Sequence, residues 1–298
     1  MTLKVSVSDA NSGVAVPHAR RGGHWIMKTF VIAGGNSGIG LQAARELLAA
    51  GHRVVLLGRD KLKGETALES FGQARDRASF LPVDLSTHDG VRDTARRVDE
   101  LTDRIDGLLH SAAVFDTSDT RTADGLPLFF ALSYLSRYHL TQLLVPKLLL
   151  AEHPKIVMLT ANLSKVPKLD PELFPYFERF NFRTAVSQVN GACMYYADYL
   201  TKTHPKIFAG CVTPGLVRTG IFDQAPWFVK AYVALTAPLL ANSVEKAAQN
   251  VVQALLAGEG ASAFMWNKPG IFQDRYAIRT DAVIQKAVMD ASRQVTGA

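Results

Sequence analysis

The clearest place for chemistry in this 298-residue chain is a cluster of glycines between an apolar segment and an alanine-rich stretch. Residues 28–33 read as a strand, glycines follow at Gly34, Gly38 and Gly40, and residues 41–50 have helical periodicity. Glycine lets the backbone turn tightly and approach a ligand closely, and a helix N-terminus offers unpaired N–H groups to an anion. The spacing differs from the common GxGxxG dinucleotide fingerprint. The segment predicts a phosphate-binding turn, and by itself no more.

Composition narrows the class of protein that could carry such a turn. The net charge is +6, and no Lys/Arg run exceeds two residues, which argues against a nucleic-acid partner and suits a phosphate-bearing ligand. No stretch reaches the roughly 18 uninterrupted apolar residues of a membrane-spanning helix. Cys193 and Cys211 lack metal-ligand spacing. We therefore expect no metal site and a reducing, cytoplasmic compartment.

Residues 1–26 differ in composition from the rest of the chain. They are rich in Ser, Gly, Val and His, lack an apolar run, and end in Arg20-Arg21-Gly-Gly-His24. The missing apolar run excludes a secretory signal peptide, while the arginines leave an organellar targeting sequence as an alternative. We favour a flexible extension, or a true start at Met27, before one domain over residues 27–298.

The elements that follow alternate between short apolar strands and helices. Strands are predicted at 53–58, 79–83, 105–110, 155–160, 206–212 and 261–266. Helices are predicted at 61–71, from a cap at Ser86 or Thr87 to about 103, and at 125–150, 183–203 and 244–256. This order predicts a parallel sheet with helices on both faces. The fold class is α/β, a Rossmann-like doubly wound parallel sheet in a single domain.

Four separated motifs occur in the order expected of one enzyme family. They are Ala33-Gly34-x3-Gly38-Ile39-Gly40, Asp84-Leu85, Asp124-Gly125 and Pro214-Gly215-Leu-Val217-Arg-Thr219. Together they resemble the short-chain dehydrogenase/reductase family, most closely its retinol-dehydrogenase-like branch. The resemblance implies a nicotinamide dinucleotide held by Gly34, Asn36, Ser37, Gly38, Ile39, Gly40, Arg59, Asp84, Leu85, Ala112, Pro214, Gly215, Val217 and Thr219.

Arg59 indicates which dinucleotide the site would take. It lies just past the second strand, where an NAD-preferring member carries an acidic side chain for the ribose hydroxyls. A guanidinium there can pair with a 2′-phosphate, so the resemblance implies NADP(H) rather than NAD(H). Asp60 follows directly and is the argument for NAD(H).

The residues that perform chemistry in the family are missing. Its Tyr, Lys, Ser and Asn positions align with Val186, Asn190, Ala161 and Ser133, and no Tyr in the chain has a Lys four residues later. Valine has no proton to give, and asparagine has no charge to stabilise a phenolate. Ordinary carbonyl reduction is therefore not expected.

Other residues could take part in an altered reaction. Thr160 and Ser164, near the end of the fifth strand, could hydrogen-bond a substrate oxygen, and Arg183 shares a helix face with Val186 and Asn190. Each is equally an ordinary turn former or solvated side chain. Tyr138, His139, Tyr195 and Tyr196 are acid–base types, but helical tyrosines are more often core residues.

The stretch 220–240 is strongly apolar, and in the family it forms the substrate lid, although a packed helix pair is an equal alternative. We expect a divergent family member that binds NADP(H) and an apolar small molecule. Its chemistry would be non-standard redox, or non-redox such as cyclisation or isomerisation. The alternatives are a catalytically inactive nucleotide-sensing or scaffold protein, and an apolar-ligand binder with a structural nucleotide. By analogy, pairing of two copies through the long helices is expected.

Overall fold

A computed structural model describes the chain at residues 20–21, 24–25, 27–161, 166–167, 169–174, 181–215, 217, 227, 230, 242–256, 264–266 and 275–298. Eight described strands form one sheet. They are β1 (Thr29–Ala33), β2 (Arg53–Gly58), β3 (Ala78–Pro82), β4 (Gly107–His110), β5 (Lys155–Leu159), β6 (Phe208–Val212), β7 (Phe264–Trp266) and β8 (Arg275–Ala277).

The sheet has the order β3-β2-β1-β4-β5-β6-β7-β8. Strands β1 to β7 are parallel, and β8 pairs antiparallel with β7. Because the order reverses between β1 and β4, the connections that leave the carboxyl ends of these two paired strands run to opposite sides and leave a crevice, where ligands bind in open α/β sheets. The predicted doubly wound parallel sheet is confirmed, and the antiparallel edge strand is an addition that the sequence analysis misses.

The helices cover both faces of the sheet. They are α1 (Gly38–Ala49), α2 (Lys61–Glu69), α3 (His88–Leu101), α4 (Leu128–Phe130), α5 (Ser136–Leu149), α6 (Phe182–Thr203), α7 (Val244–Leu256) and α8 (Ala282–Thr296). Phe30 and Ile32 of β1 belong to the core formed with α1 and α7, whereas Val31 and Ala33 belong to the core formed with α3, α5 and α6. Both faces of β1 are buried, as a central parallel strand requires.

Two predicted helices differ from the observed ones. Helix α2 ends at Glu69, and a 3-10 turn, Gly72–Arg77, follows it. The helix predicted over 125–150 begins at Leu128 and contains a π-helical segment, Ala131–Leu135, between α4 and α5. Apolar periodicity cannot reveal such a segment, because one inserted residue shifts the pattern without breaking it. Thr87 is the N-cap of α3, as one of the two predicted alternatives, and accepts a hydrogen bond from Gly90 N.

Helix α8 packs against α6, and the sequence analysis did not predict this helix. It is joined to the core by buried polar contacts, including one between Tyr134 and Ser292. At the other end of the chain, Arg20–Arg21 and His24–Trp25 form a two-stranded antiparallel ribbon. The remainder of residues 1–26 lies outside the described residues. None of the described helices combines the length and hydropathy needed to cross a membrane.

Candidate functional site

The glycine turn joins the end of β1 to the start of α1 and leaves no room for side chains. Gly34 (φ +79°) and Gly38 (φ +53°) adopt left-handed conformations that favour glycine. A Cβ on Gly34 would lie 2.6 Å from the backbone nitrogen of Ala112, and one on Gly40 would lie 2.3 Å from Gly34 O. The turn therefore needs glycine at these positions, and it places Ala112 of the neighbouring strand end directly against the loop.

The N-terminus of α1 is open to an anion. Its N-cap, Ser37, is extended and makes no side-chain capping bond, and the first turn contains no acidic residue. The first amides of a helix have no intrahelical acceptor, so these remain available to an anion such as a pyrophosphate. The loop itself is anchored, because Gly34 N and Gly35 N both donate to Leu57 O. These residues fit the phosphate-binding role expected from the sequence.

Arg59 and Asp60 have different environments. The Asp60 carboxylate caps α2 by accepting from Lys63 N at 3.0 Å, and Lys63 Nζ lies 4.0 Å from its other oxygen. Arg59 is exposed and makes no hydrogen bond or ion pair with any described residue. Asn36 supports this corner by donating to Asp60 O at 3.3 Å. The acidic group is committed to its helix, while the guanidinium is free to meet a ligand.

Two further motifs lie at the same edge of the sheet. Asp84 is exposed, its Oδ1 accepts from Ser86 N and Ser86 Oγ, and Leu85 beside it is buried. After β6, Gly215 has φ +72°, and Pro214 O accepts from Asn242 Nδ2 at 3.1 Å. Val217 is buried and bridges to Asn242. Thr219 lies outside the described residues.

The structure brings together three of the four positions aligned with the family's catalytic residues. Asn190 Oδ1 accepts from Ala161 N at 2.6 Å, and Asn190 Nδ2 donates to Val186 O at 2.6 Å. The amide is buried, and each end of it is bonded to backbone. Asn190 therefore fastens α6 to the end of β5, and neither Ala161 nor Val186 adds a group that can exchange a proton.

The fourth position, Ser133, lies in the π-helical segment and is buried. No described residue hydrogen-bonds its Oγ, and the same is true of Thr160 Oγ1 at the end of β5. Unpaired buried hydroxyls are uncommon and call for a water or ligand partner. Arg183 is exposed near the start of α6 and contacts neither hydroxyl through any bond within the described part of the chain. Ser164 lies outside the described residues.

Arg137, on α5, is a buried cation that the sequence analysis missed. Its Nη1 donates to Leu159 O at 2.6 Å and its Nη2 to Ala112 O at 3.2 Å, so the guanidinium joins the ends of β5 and β4. Nη1 also lies 3.7 Å from Cys193 Sγ. The only sequence signal was a lone arginine inside a mostly apolar helix.

The buried histidine and tyrosine side chains near this edge, unlike Arg137, are held in their neutral forms. Burial, with the nearby Arg137 charge, lowers the pKa of His110 well below its ordinary value, and His110 Nε2 pairs with Thr141 Oγ1 at 2.8 Å. Burial raises the pKa of Tyr138 to about 12 and that of Tyr196 well above 10.0. These tyrosines are core residues and poor acids, so they do not replace the missing proton donor. Among the described residues, no His, Cys, Asp and Glu cluster could hold a metal.

Known proteins share both the sequence pattern and the fold. The sequence profile of the short chain dehydrogenases matches residues 28–226. WW domain-containing oxidoreductase of Drosophila melanogaster is 27% identical over 80% of the chain, and mouse retinol dehydrogenase 13 is 30% identical over 64%. The chain spans 61% and 59% of the lengths of these two relatives.

A solved metagenomic short-chain oxidoreductase in complex with NADP has the same fold. Its TM-score is 0.57 at 22% identity, and the match covers 78% of this chain and 91% of that one. The motifs, the strand order and the profile match over residues 28–226 agree with one another. The chain belongs to the short-chain dehydrogenase/reductase family and is similar to its retinol dehydrogenases.

Proposed function

We propose that this protein binds NADP(H) and an apolar small molecule and does not use the Tyr/Lys proton transfer of its family. The observation that carries the proposal is the Asn190 amide, which is occupied by the backbone of Ala161 and Val186. An amide is neutral and does not titrate, so Asn190 can neither exchange a proton nor supply the positive charge that lowers the pKa of a phenol. The reaction would then be non-standard redox or non-redox, such as cyclisation or isomerisation.

Residues of this chain would hold each part of the dinucleotide. The open amides after Ser37 would bind the pyrophosphate, Arg59 the 2′-phosphate, and Asp84 with Leu85 the adenine. Pro214, Gly215 and Val217 would lie against the nicotinamide end. The commitment of Asp60 to its helix cap supports NADP(H) over NAD(H). The cofactor, when bound, supplies a hydride acceptor or donor at its nicotinamide ring.

The chain's own groups limit what can follow. Val186 presents a half-buried apolar side chain where the family carries its acid, so a substrate proton would have to come from water or from the substrate. Ser133 and Thr160 have hydroxyls that could hold such a water. The apolar ligand is inferred from stretch 220–240, most of which lies outside the described residues, and from the name of the retinol dehydrogenase relative.

The second candidate function is a catalytically inactive nucleotide sensor or scaffold. It is favoured by the absence of a Tyr and a Lys at the aligned positions Val186 and Asn190, combined with an intact glycine turn. An apolar-ligand binder with a structural nucleotide is the third candidate. Pairing of two copies stays a prediction.

The proposal is tested by following NADPH oxidation with a panel of apolar aldehydes and ketones that includes retinaldehyde. We expect saturable NADPH binding with no brisk reduction of generic ketones. Brisk reduction that is lost in Asn190→Ala, while Arg183→Ala retains it, would overturn the proposal. Conversion of an apolar compound only in the presence of bound cofactor, without net oxidation, would favour the enzyme over the sensor.

A further inference from the structure

The guanidinium of Arg137 is a buried charge with no counter-ion among the residues that the structure describes. The residue is 3% exposed, its two terminal nitrogens donate to backbone carbonyls and approach one thiol, and its Nε has no partner among the described residues. No carboxylate in the described part of the chain forms an ion pair with it. Since arginine keeps its proton in proteins, the positive charge is permanent.

This charge lies between the cofactor turn and the altered catalytic positions. Ala112, whose carbonyl accepts from Arg137, is the residue that a Cβ on Gly34 would strike. Leu159, whose carbonyl accepts from the other nitrogen, precedes Thr160 and Ala161. The guanidinium therefore lies at the carboxyl edge of β4 and β5, where the nicotinamide half of a dinucleotide belongs in this topology.

The side chains described next to Arg137 carry no negative charge to balance its positive charge. Asn190, at the position of the family's lysine, is neutral, and His110 is held neutral by burial and by Arg137 itself. The Cys193 thiol beside Nη1 is also neutral, because burial raises its pKa although Arg137 opposes the shift. In a site shielded from water a fixed charge acts over a longer distance than it does in solvent.

From this arrangement we infer that Arg137 makes the site select the reduced cofactor, NADPH, over NADP⁺. The inference rests on the proposed binding of NADP(H). The oxidised nicotinamide ring carries a positive charge and the reduced ring is neutral, so the buried guanidinium disfavours only the oxidised form. Such selectivity suits a protein that retains a bound nucleotide instead of cycling it through repeated redox turnover.

The test exploits the 3.7 Å contact between Arg137 and Cys193. Cys193→Asp would place a carboxylate against the guanidinium, and Cys193→Asn is a control of similar size without charge. Dissociation constants are measured for NADPH, NADP⁺ and adenosine 2′,5′-bisphosphate, which lacks the nicotinamide. We expect the ratio of the NADP⁺ to the NADPH dissociation constant to fall about tenfold in the Asp variant relative to the Asn variant. Binding of the bisphosphate should be equal in both.

Arg137→Met and Arg137→Lys provide a second comparison in case the Asp variant does not fold. The Met variant should lower the same ratio, and the Lys variant, which keeps the charge, should retain it. The inference is overturned if Cys193→Asp and Arg137→Met, where they fold, bind NADPH but leave the ratio of the NADP⁺ to the NADPH dissociation constant unchanged. If wild type binds neither NADPH nor the bisphosphate, the proposed function fails first, so the two failures are distinguishable.

Discussion

At the residue scale, the side chain at the position aligned with the family's lysine makes structural contacts. Asn190 joins α6 to the end of β5, and Ala161 and Val186 contribute backbone groups to it. Arg137 performs a similar task between β4 and β5. Asn190, Ala161 and Val186 lie together at the crevice, but the bonds they form are with one another. Within the described part of the chain, unpaired groups of the kind that bind ligands are the amides at the start of α1 and the buried hydroxyls of Ser133 and Thr160.

Arg59→Ala should weaken NADPH binding much more than NADH binding. A charge-assisted pair with the 2′-phosphate would be lost, which corresponds to about a tenfold rise in the NADPH dissociation constant. Nucleotide fluorescence titration measures both constants. Arg53→Ala, an exposed arginine at the opposite end of the same strand, should change neither. Equal losses for both cofactors would show that Arg59 does not read the 2′-phosphate.

His139 should make the protein less stable as the pH falls below 6.5, the ordinary pKa of histidine. Burial, together with the charges of His88 and Arg92 and against that of Asp124, lowers its pKa from 6.5 to about 4. The unfolded chain therefore binds a proton that the folded chain does not, so this stability is present above pH 6.5 and is lost toward pH 4. His110 acts in the same direction.

Urea unfolding should show a free energy of unfolding about 2 kcal/mol lower at pH 5 than at pH 7.5 from His139 alone. His139→Leu removes this titrating group and should reduce the pH dependence by about that amount, leaving the contribution of His110, whereas the exposed His153→Leu should not reduce it. A pH dependence identical in wild type and His139→Leu would exclude His139 as its source.

At the element scale, the periodicity of apolar residues determined which helices and strands could be predicted from the sequence. The strands at 53–58 and 155–160 and helix α7 were located within a residue or so, since each shows a clear apolar pattern between turn residues. Strand β8 was missed because three residues carry too little pattern. Helix α8 was missed because no family motif marks its start, although Asp281 caps it.

Local sequence pattern likewise determined which residues of the candidate site could be predicted. Gly34 and Gly40 stand out in the sequence because a tight strand-to-helix turn favours glycine, whereas Asp84 stands out only because the Asp84-Leu85 pair resembles one in the family. The contacts of Arg137, and the use of the Asn190 amide at both ends, depend on which elements become neighbours. Such contacts follow from packing between distant parts of the chain, which spacing alone does not encode.

Asp198 should be the main attachment of α8 to the rest of the domain. This buried carboxylate accepts hydrogen bonds from Lys202, Thr280 and Gln285. Asp198→Ala would remove all three bonds, although Gln285 Nε2 keeps Tyr195 O and Thr280 Oγ1 as acceptors, and should cost about 2 kcal/mol. Hydrogen exchange should then lose protection over Ala282–Thr296 before the sheet does. Asp290→Ala removes an exposed, paired carboxylate from α8 and should have little effect. Equal protection of α8 in both variants would contradict this role.

At the scale of the whole molecule, one sheet with two buried faces accounts for the domain. The sequence predicted that architecture from strand and helix order alone, because parallel strands need helical crossovers on both faces. Family membership follows from the same order together with the motifs. The division into an extension at 1–26 and a domain at 27–298 stays a prediction.

A chain that begins at Met27 should match the full chain in melting temperature and NADPH affinity. The described strands before Met27 pair only with each other within the part of the chain that the structure describes. Differential scanning calorimetry and nucleotide titration would measure both quantities. A lower melting temperature would show that residues before Met27 belong to the folded domain.

We propose that the glycine turn binds a dinucleotide although Val186 and Asn190, at the positions aligned with the family's Tyr and Lys, cannot exchange protons. This proposal is tested most directly by titrating NADPH, by nicotinamide fluorescence, into wild type, Gly38→Trp and Gly72→Trp. Gly38 (φ +53°) and Gly72 (φ +52°) have matched left-handed backbone conformations, so tryptophan would be strained equally by its φ at either position, but only Gly38 belongs to the turn. We expect wild type and Gly72→Trp to bind NADPH saturably and one-to-one, and we expect no NADPH binding by Gly38→Trp. Failure of wild type to bind NADPH, or undiminished binding by Gly38→Trp, would contradict the proposal.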